Sequence, residues 1–126
     1  MAYSVKILEA STELTTHEKI KLKNTSDSQP LDGATMEGEV IITPEFWVIL
    51  DVTNDKSNDK NYTNYVIADK DGQKYRTGSE SFWNAFKDIW DELEEAGELE
   101  TDWEIRVYRL PSKNRTGKDF LTCSLV

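Results

Sequence analysis

Phe82, Trp83, Phe86, Ile89, Trp90 and Leu93 recur at spacings of one, three and four, and so draw one wide apolar stripe along a helix. Ser79 before them is a natural N-cap, Glu80 sits well beside the positive end of the helix dipole, and Gly97 is a stop signal. One long helix over roughly 79–96 is predicted. The flanking segments carry period-two alternation and turn residues instead. A helix of this kind must lay its stripe on a sheet, so the expected class is mainly β (α+β).

Val5, Ile7 and Leu8 suggest a short N-terminal strand. Thr15-Thr16-His17-Glu18 fits a capping box opening a short helix. Lys19-Ile20-Lys21-Leu22-Lys23 alternates strictly and serves equally as a strand with one wet face, so both readings stand. Residues 24–39, with Pro30, Gly33 and Gly38 among Ser, Thr and Asp, read as a loop. A long strand is expected from Val40, with Phe46, Val48, Leu50 and Val52 on one side and Trp47, Ile49, Asp51 and Thr53 on the other. Pro44 is expected to kink or bulge its beginning. Residues 54–61 are apolar-free and read as an exposed loop. Tyr62 to Asp69 and Gln73 to Thr77 flank Lys70-Asp71-Gly72, a hairpin whose Asp-Gly pair is expected to supply positive φ angles. After the helix, Trp103, Ile105 and Val107 alternate with Glu104, Arg106 and Tyr108 in a strand ending near Pro111. A loop from Ser112 to Gly117 leads to a last strand, where Leu121, Cys123 and Leu125 alternate with Phe120, Thr122 and Ser124.

With 126 residues the chain has room for one core. A single domain over 1–126 is expected, with an irregular part at 1–39 and its core at 40–126. No apolar run approaches the roughly 20 residues of a membrane helix, and Met1 to Lys6 lacks the pattern of a signal peptide. The expected compartment is the cytoplasm. Cys123 is the only cysteine, which excludes an intramolecular disulfide and a multi-cysteine zinc site. It is expected to pack as a small hydrophobe.

Charge is divided sharply. Residues 80–104 hold ten Asp or Glu and one Lys, whereas residues 105–118 hold Arg106, Arg109, Lys113, Arg115 and Lys118 and no acid. The net charge of −9 therefore hides a basic segment. A protein acidic overall still binds a polyanion if its basic groups share a face.

The order strand, strand, hairpin partner, helix, strand, strand is that of an OB-fold, a small Greek-key barrel. The run from Trp103 through Arg106-Val107-Tyr108-Arg109, Lys113-Asn114-Arg115-Thr116-Gly117-Lys118 and Phe120 to Cys123 resembles the last hairpin of single-stranded DNA-binding proteins. Tyr75-Arg76-Thr77-Gly78-Ser79-Glu80-Ser81-Phe82-Trp83 adds a resemblance to phage and prophage members of that class. The similarity covers about residues 40–126. It implies an OB-like antiparallel barrel with the long helix before the last hairpin. The first barrel strand then lies at either 4–10 or 19–23.

Binding of single strands without reading sequence needs a basic groove for phosphates and flat π faces for bases. Arg106, Tyr108, Lys113, Arg115, Lys118 and Phe120 are the primary candidates, with Thr122 between them. Alternation puts Arg106 and Tyr108 opposite Ile105 and Val107, and Phe120 opposite Leu121 and Cys123. Trp47, on the Asp51 side of its strand, is either a third stacking residue or a core or subunit-contact residue. Tyr62 and Tyr65, beside the loop with Lys56 and Lys60, are either a second contact region or an ordinary solvated hairpin. The expected partner is single-stranded DNA in phage replication or recombination, with the protein a homodimer in the bacterial cytoplasm.

The rival reading is a small acidic phage protein that inhibits a host defence nuclease by DNA mimicry, in the manner of an anti-CRISPR. Asp91, Glu92, Glu94, Glu95, Glu98 and Glu100 would then carry the function. No cofactor or metal is expected, and His17 and Cys123 offer no nucleophile and base pair. The chain is expected not to be an enzyme.

Overall fold

The computed structural model describes residues 3–24, 28–54, 61–111 and 119–126. In chain order the elements are β1 (Tyr3–Ala10), α1 (Thr16–Lys23), β2 (Gln29–Pro30), α2 (Leu31–Ala34), β3 (Val40–Ile42), β4 (Pro44–Asn54), β5 (Asn61–Asp69), β6 (Lys74–Thr77), α3 (Glu80–Glu95), β7 (Ile105–Pro111) and β8 (Asp119–Leu125), with a 3-10 turn at Thr35–Glu37. The mainly β class with one long helix before the last hairpin holds. The described strands form two sheets, five-stranded and three-stranded, so the OB-like barrel is not closed. Two compact units interleave along the chain, 1–31 with 45–78 and 32–44 with 79–126.

The first unit carries the sheet β1-β4-β5-β6-β2. β1 and β4 run antiparallel with Val5 opposite Val52 and Ile7 opposite Leu50. These side chains share a face, and Val48, Leu50 and Val52 are completely buried there with Val66 and Leu22. A bulge between Ile7 and Glu9 shifts the register and leaves Leu8 exposed. The first strand thus falls at the earlier of its two expected places. The segment 19–23 is helical because the capping box forms: Thr15 N–H donates to Glu18 Oε1 at 2.9 Å, and Glu18 N–H to Thr15 Oγ1 at 3.1 Å. Alternation over five residues with only two apolar members does not outweigh that start signal. Residues 1–39 are therefore more regular than expected.

The β5–β6 hairpin pairs Tyr65 with Thr77 and Ile67 with Tyr75. Only Gly72 in its turn has a positive φ, 95°, so the expectation that Asp71 shares it is corrected. The Gly72 N–H closes on the Asp69 carbonyl at 3.0 Å while Asp69 Oδ1 accepts from Asp71 N–H, which makes a three-residue loop rather than a two-residue turn. β2 adds a two-residue parallel bridge to β6, with Gln29 opposite Tyr75 and Pro30 opposite Arg76. The Arg76 guanidinium steadies it by donating to the Ser28 carbonyl and hydroxyl.

In the second unit β3, β7 and β8 form an antiparallel sheet on which α3 packs. The strand expected from Val40, with a kink or bulge at Pro44, divides outright at Thr43, just before Pro44, whose ring removes a ladder donor. Ser79 caps α3 by accepting from Phe82 N–H at 3.2 Å. At the other end Gly97, at φ 71°, and Glu98 donate back to the carbonyls of Glu94 and Leu93, a Schellman closure. The stripe buries Phe82, Trp83, Phe86 and Trp90, each contributing roughly 1.5–3 kcal/mol by removal from water. A run of ring contacts, 5.6 to 6.0 Å between centroids, continues from Trp83 and Phe86 through Trp90 to Trp103. On the sheet side Ile42, Ile105, Val107, Leu121 and Cys123 complete this core, whereas Leu125 is half exposed at the strand's end.

Candidate nucleic-acid interface

Alternation along β7 and β8 separates two chemistries. Ile105, Val107, Leu121 and Cys123 are buried on one face, and Ser81 at the start of α3 donates to the Leu121 carbonyl at 2.7 Å. The opposite face presents three cross-strand rows: Ile41, Arg106 and Ser124; Tyr108 and Thr122; Leu110 and Phe120. Ile41, Leu110 and Phe120 are 46%, 41% and 38% exposed, although they are large and apolar. The sheet therefore has a wet face that is basic and apolar at once.

Within this face Tyr108 is held from two directions. Its hydroxyl accepts from Ser124 Oγ at 3.0 Å, and the Arg106 guanidinium lies over its ring at 4.9 Å from the centroid. That distance is within cation–π range. Arg106 also meets the Glu39 carboxylate at 3.6 Å. Phe120 sits one row away from Tyr108, so the two aromatics expected to share a platform do lie on one face.

Arg109 points the other way. It donates to Thr35 Oγ1 at 3.1 Å, the Asp32 carbonyl at 2.9 Å and Asp119 Oδ1 at 3.1 Å. It fastens the segment before β3 to both strands of the last hairpin.

The other predicted residues divide. Lys113, Arg115 and Lys118 lie outside the described residues, as do Lys56 and Lys60. Tyr62 is exposed on β5. Trp47 corrects one reading: it is 3% exposed, so it belongs to the core and not to an open stacking surface. Ile41, Leu110 and Glu39 were missed. Leu110 continues the alternation of Arg106 and Tyr108 and was accessible to that signal. Ile41 needed the register with β7, and Glu39 stood in a segment read only as loop.

Among the described residues no three His, Cys, Asp or Glu converge as a metal site, and no helix is long and apolar enough to cross a membrane. Burial pushes the Cys123 thiol up to about 12, which makes it a poor nucleophile near neutrality.

A solvent-facing sheet surface that combines a guanidinium, aromatic rings and apolar side chains is the chemistry of single-strand recognition. The family model for phage single-stranded DNA-binding proteins, of the phi29 type, matches residues 2–126. The chain belongs to this family, and single-stranded DNA binding is its general function. No curated protein and no solved structure matches the chain.

Proposed function

We propose that the outer face of the β3-β7-β8 sheet is the DNA-binding surface and that it coats single strands without reading sequence. Arg106, with Lys113, Arg115 and Lys118 of the segment between β7 and β8, neutralises phosphates. Tyr108 and Phe120 stack on bases, and Leu110 and Thr122 fill the space between them. The observation that carries this reading is the pairing of Arg106, Tyr108 and Leu110 with Ser124, Thr122 and Phe120 on a face left open to water. Every base has a π face, so stacking is indifferent to sequence and contributes roughly 1–3 kcal/mol per base.

Transient single strands arise in phage replication and recombination within the host cytoplasm, and there such a protein acts without catalysis or cofactor. Two copies on one strand gain avidity, which makes a homodimer the expected working form. Light scattering with and without oligonucleotide tests that assembly.

The surface itself is tested by placing a carboxylate on it. Leu110→Glu and Thr122→Glu alter side chains outside the core, so the fold is retained. Both are expected to weaken binding of oligo-dT and of mixed-sequence strands alike, measured by anisotropy at fixed salt. Unchanged affinity in both variants would falsify the assignment of this face.

A further inference from the structure

Arg106 is already engaged before any DNA arrives. Its guanidinium covers the Tyr108 ring, the position a base must take, and its charge is met by Glu39, the position a phosphate must take. Both interactions are weakly held. The Arg106 and Glu39 side chains are 48% and 54% exposed and stand 3.6 Å apart, a geometry that solvent and salt screen readily. Arg109, by contrast, is pinned by two hydrogen bonds to side chains and one to a carbonyl, with only 21% of its side chain exposed.

The placement of Glu39 is built into the backbone. Arg109 binds Thr35 and Asp32, which fixes the 3-10 turn beside β7. Gly38 then takes φ 142° and ψ −171°, a region essentially reserved for glycine, and the next residue is Glu39 at the entrance to β3. β3 pairs with β7 so that Ile41 faces Arg106. The carboxylate is thereby held at the edge of the outer face by a clamp, a glycine turn and a strand register.

Resting on the assignment of this face to DNA, we infer that Glu39 is an internal phosphate mimic: it holds Arg106 over Tyr108 in the free protein and must be displaced when DNA binds. On binding, a phosphate oxygen replaces the carboxylate at Arg106 and a base replaces the guanidinium on Tyr108. Glu39 so lowers affinity for strands that offer too few phosphates to compete, and keeps the stacking ring covered meanwhile.

The test is a double-mutant cycle of Glu39→Gln and Arg106→Gln with labelled oligo-dT, read by anisotropy across salt concentrations. Glu39→Gln should bind about two- to fivefold tighter at low salt, the range an exposed ion pair allows. That gain should shrink as salt rises, since salt also weakens the pair being removed. In the Arg106→Gln background the same substitution should give little or no gain. An equal gain in both backgrounds overturns the inference, because a carboxylate acting only through space on the DNA does not need Arg106. No gain in the parent background overturns it too. Tyr108→Ala and Phe120→Ala run alongside: if both bind like the parent, the face itself is wrong and the Glu39 inference falls with it. If both weaken binding while the cycle shows no coupling, the face stands and only the role of Glu39 falls.

Discussion

Arg109 Nη1 donates to Asp119 Oδ1 at 3.1 Å across the base of the last hairpin, from the strand that leaves the sheet core to the strand that returns to it. The pair ties the ends of the segment that carries Lys113, Arg115 and Lys118. With Thr35 and Asp32 as its further partners, Arg109 is a structural cation amid a group of cations proposed to bind DNA.

Arg109→Ala should therefore act on stability. Losing charge-assisted hydrogen bonds at a partly buried guanidinium costs about 2 kcal/mol, and the change should lower the denaturation midpoint in urea. The slope of log affinity against log salt should stay close to that of the parent protein, because Arg109 neutralises no phosphate. A drop of roughly 0.7 in that slope, with stability unchanged, would place Arg109 on the DNA instead.

Helix α3 was the most readable element, for a local reason. Its stripe, its Ser79 cap and its Gly97 stop are all written within the segment, and the observed Glu80–Glu95 follows them. The sidedness of β7 and β8 was readable for the same reason, since period two decides which residues face together. What stayed hidden depends on contacts distant in sequence. Trp47 shares its face with Asp51 and Thr53, so alternation could not decide between a stacking residue and core, and the structure buries it. Glu39 acquires meaning only through the pairing of β3 with β7, some 65 residues further along the chain. The break between β3 and β4 was signalled by Pro44, but the allotment of the two strands to different sheets was not.

Removal of the α3 cap gives a second test. Ser79 Oγ satisfies the Phe82 amide, and Phe82 is completely buried one turn into the helix. Ser79→Ala should destabilise by about 1 kcal/mol, while Ser79→Asp should largely restore the parent stability by supplying another cap acceptor. Thermal unfolding followed by circular dichroism would read both. Equal stability of the Ala variant and the parent would mean that the cap contributes nothing.

Cys123 provides a pH-dependent test. Burial raises its pKa from the ordinary 9.0 to about 12, so the unfolded chain loses the thiol proton first as pH rises. Below about 9 both states are protonated and the group is neutral to stability; between about 9 and 12 the unfolded state is favoured and stability falls. Cys123→Ala should therefore unfold with a shallower pH dependence in that alkaline window. At neutral pH the folded protein should resist iodoacetamide and react fully once urea unfolds it. Rapid alkylation of folded protein would show the thiol to be accessible.

The last hairpin should divide its labour by chemistry. Lys113, Arg115 and Lys118 stand between β7 and β8 beyond a fastening, Arg109 with Asp119, that belongs to the scaffold, so their removal is expected to leave the fold intact. Replacing the three with Ala should weaken oligo-dT binding mostly at low salt and flatten the salt dependence by roughly 0.7 for each phosphate no longer neutralised. Tyr108→Ala and Phe120→Ala should cost about 1–3 kcal/mol each at every salt concentration, because stacking releases no ions. The exposed acids on α3 supply the control. Glu94→Gln and Glu95→Gln remove charge from a helix surface away from the outer face, and under the DNA-binding reading they should not weaken affinity. A titration matrix of these variants against salt separates the rival: hairpin variants with parent-like affinity, alongside Glu variants that lose a protein partner, would move the function from the sheet face to the acidic helix.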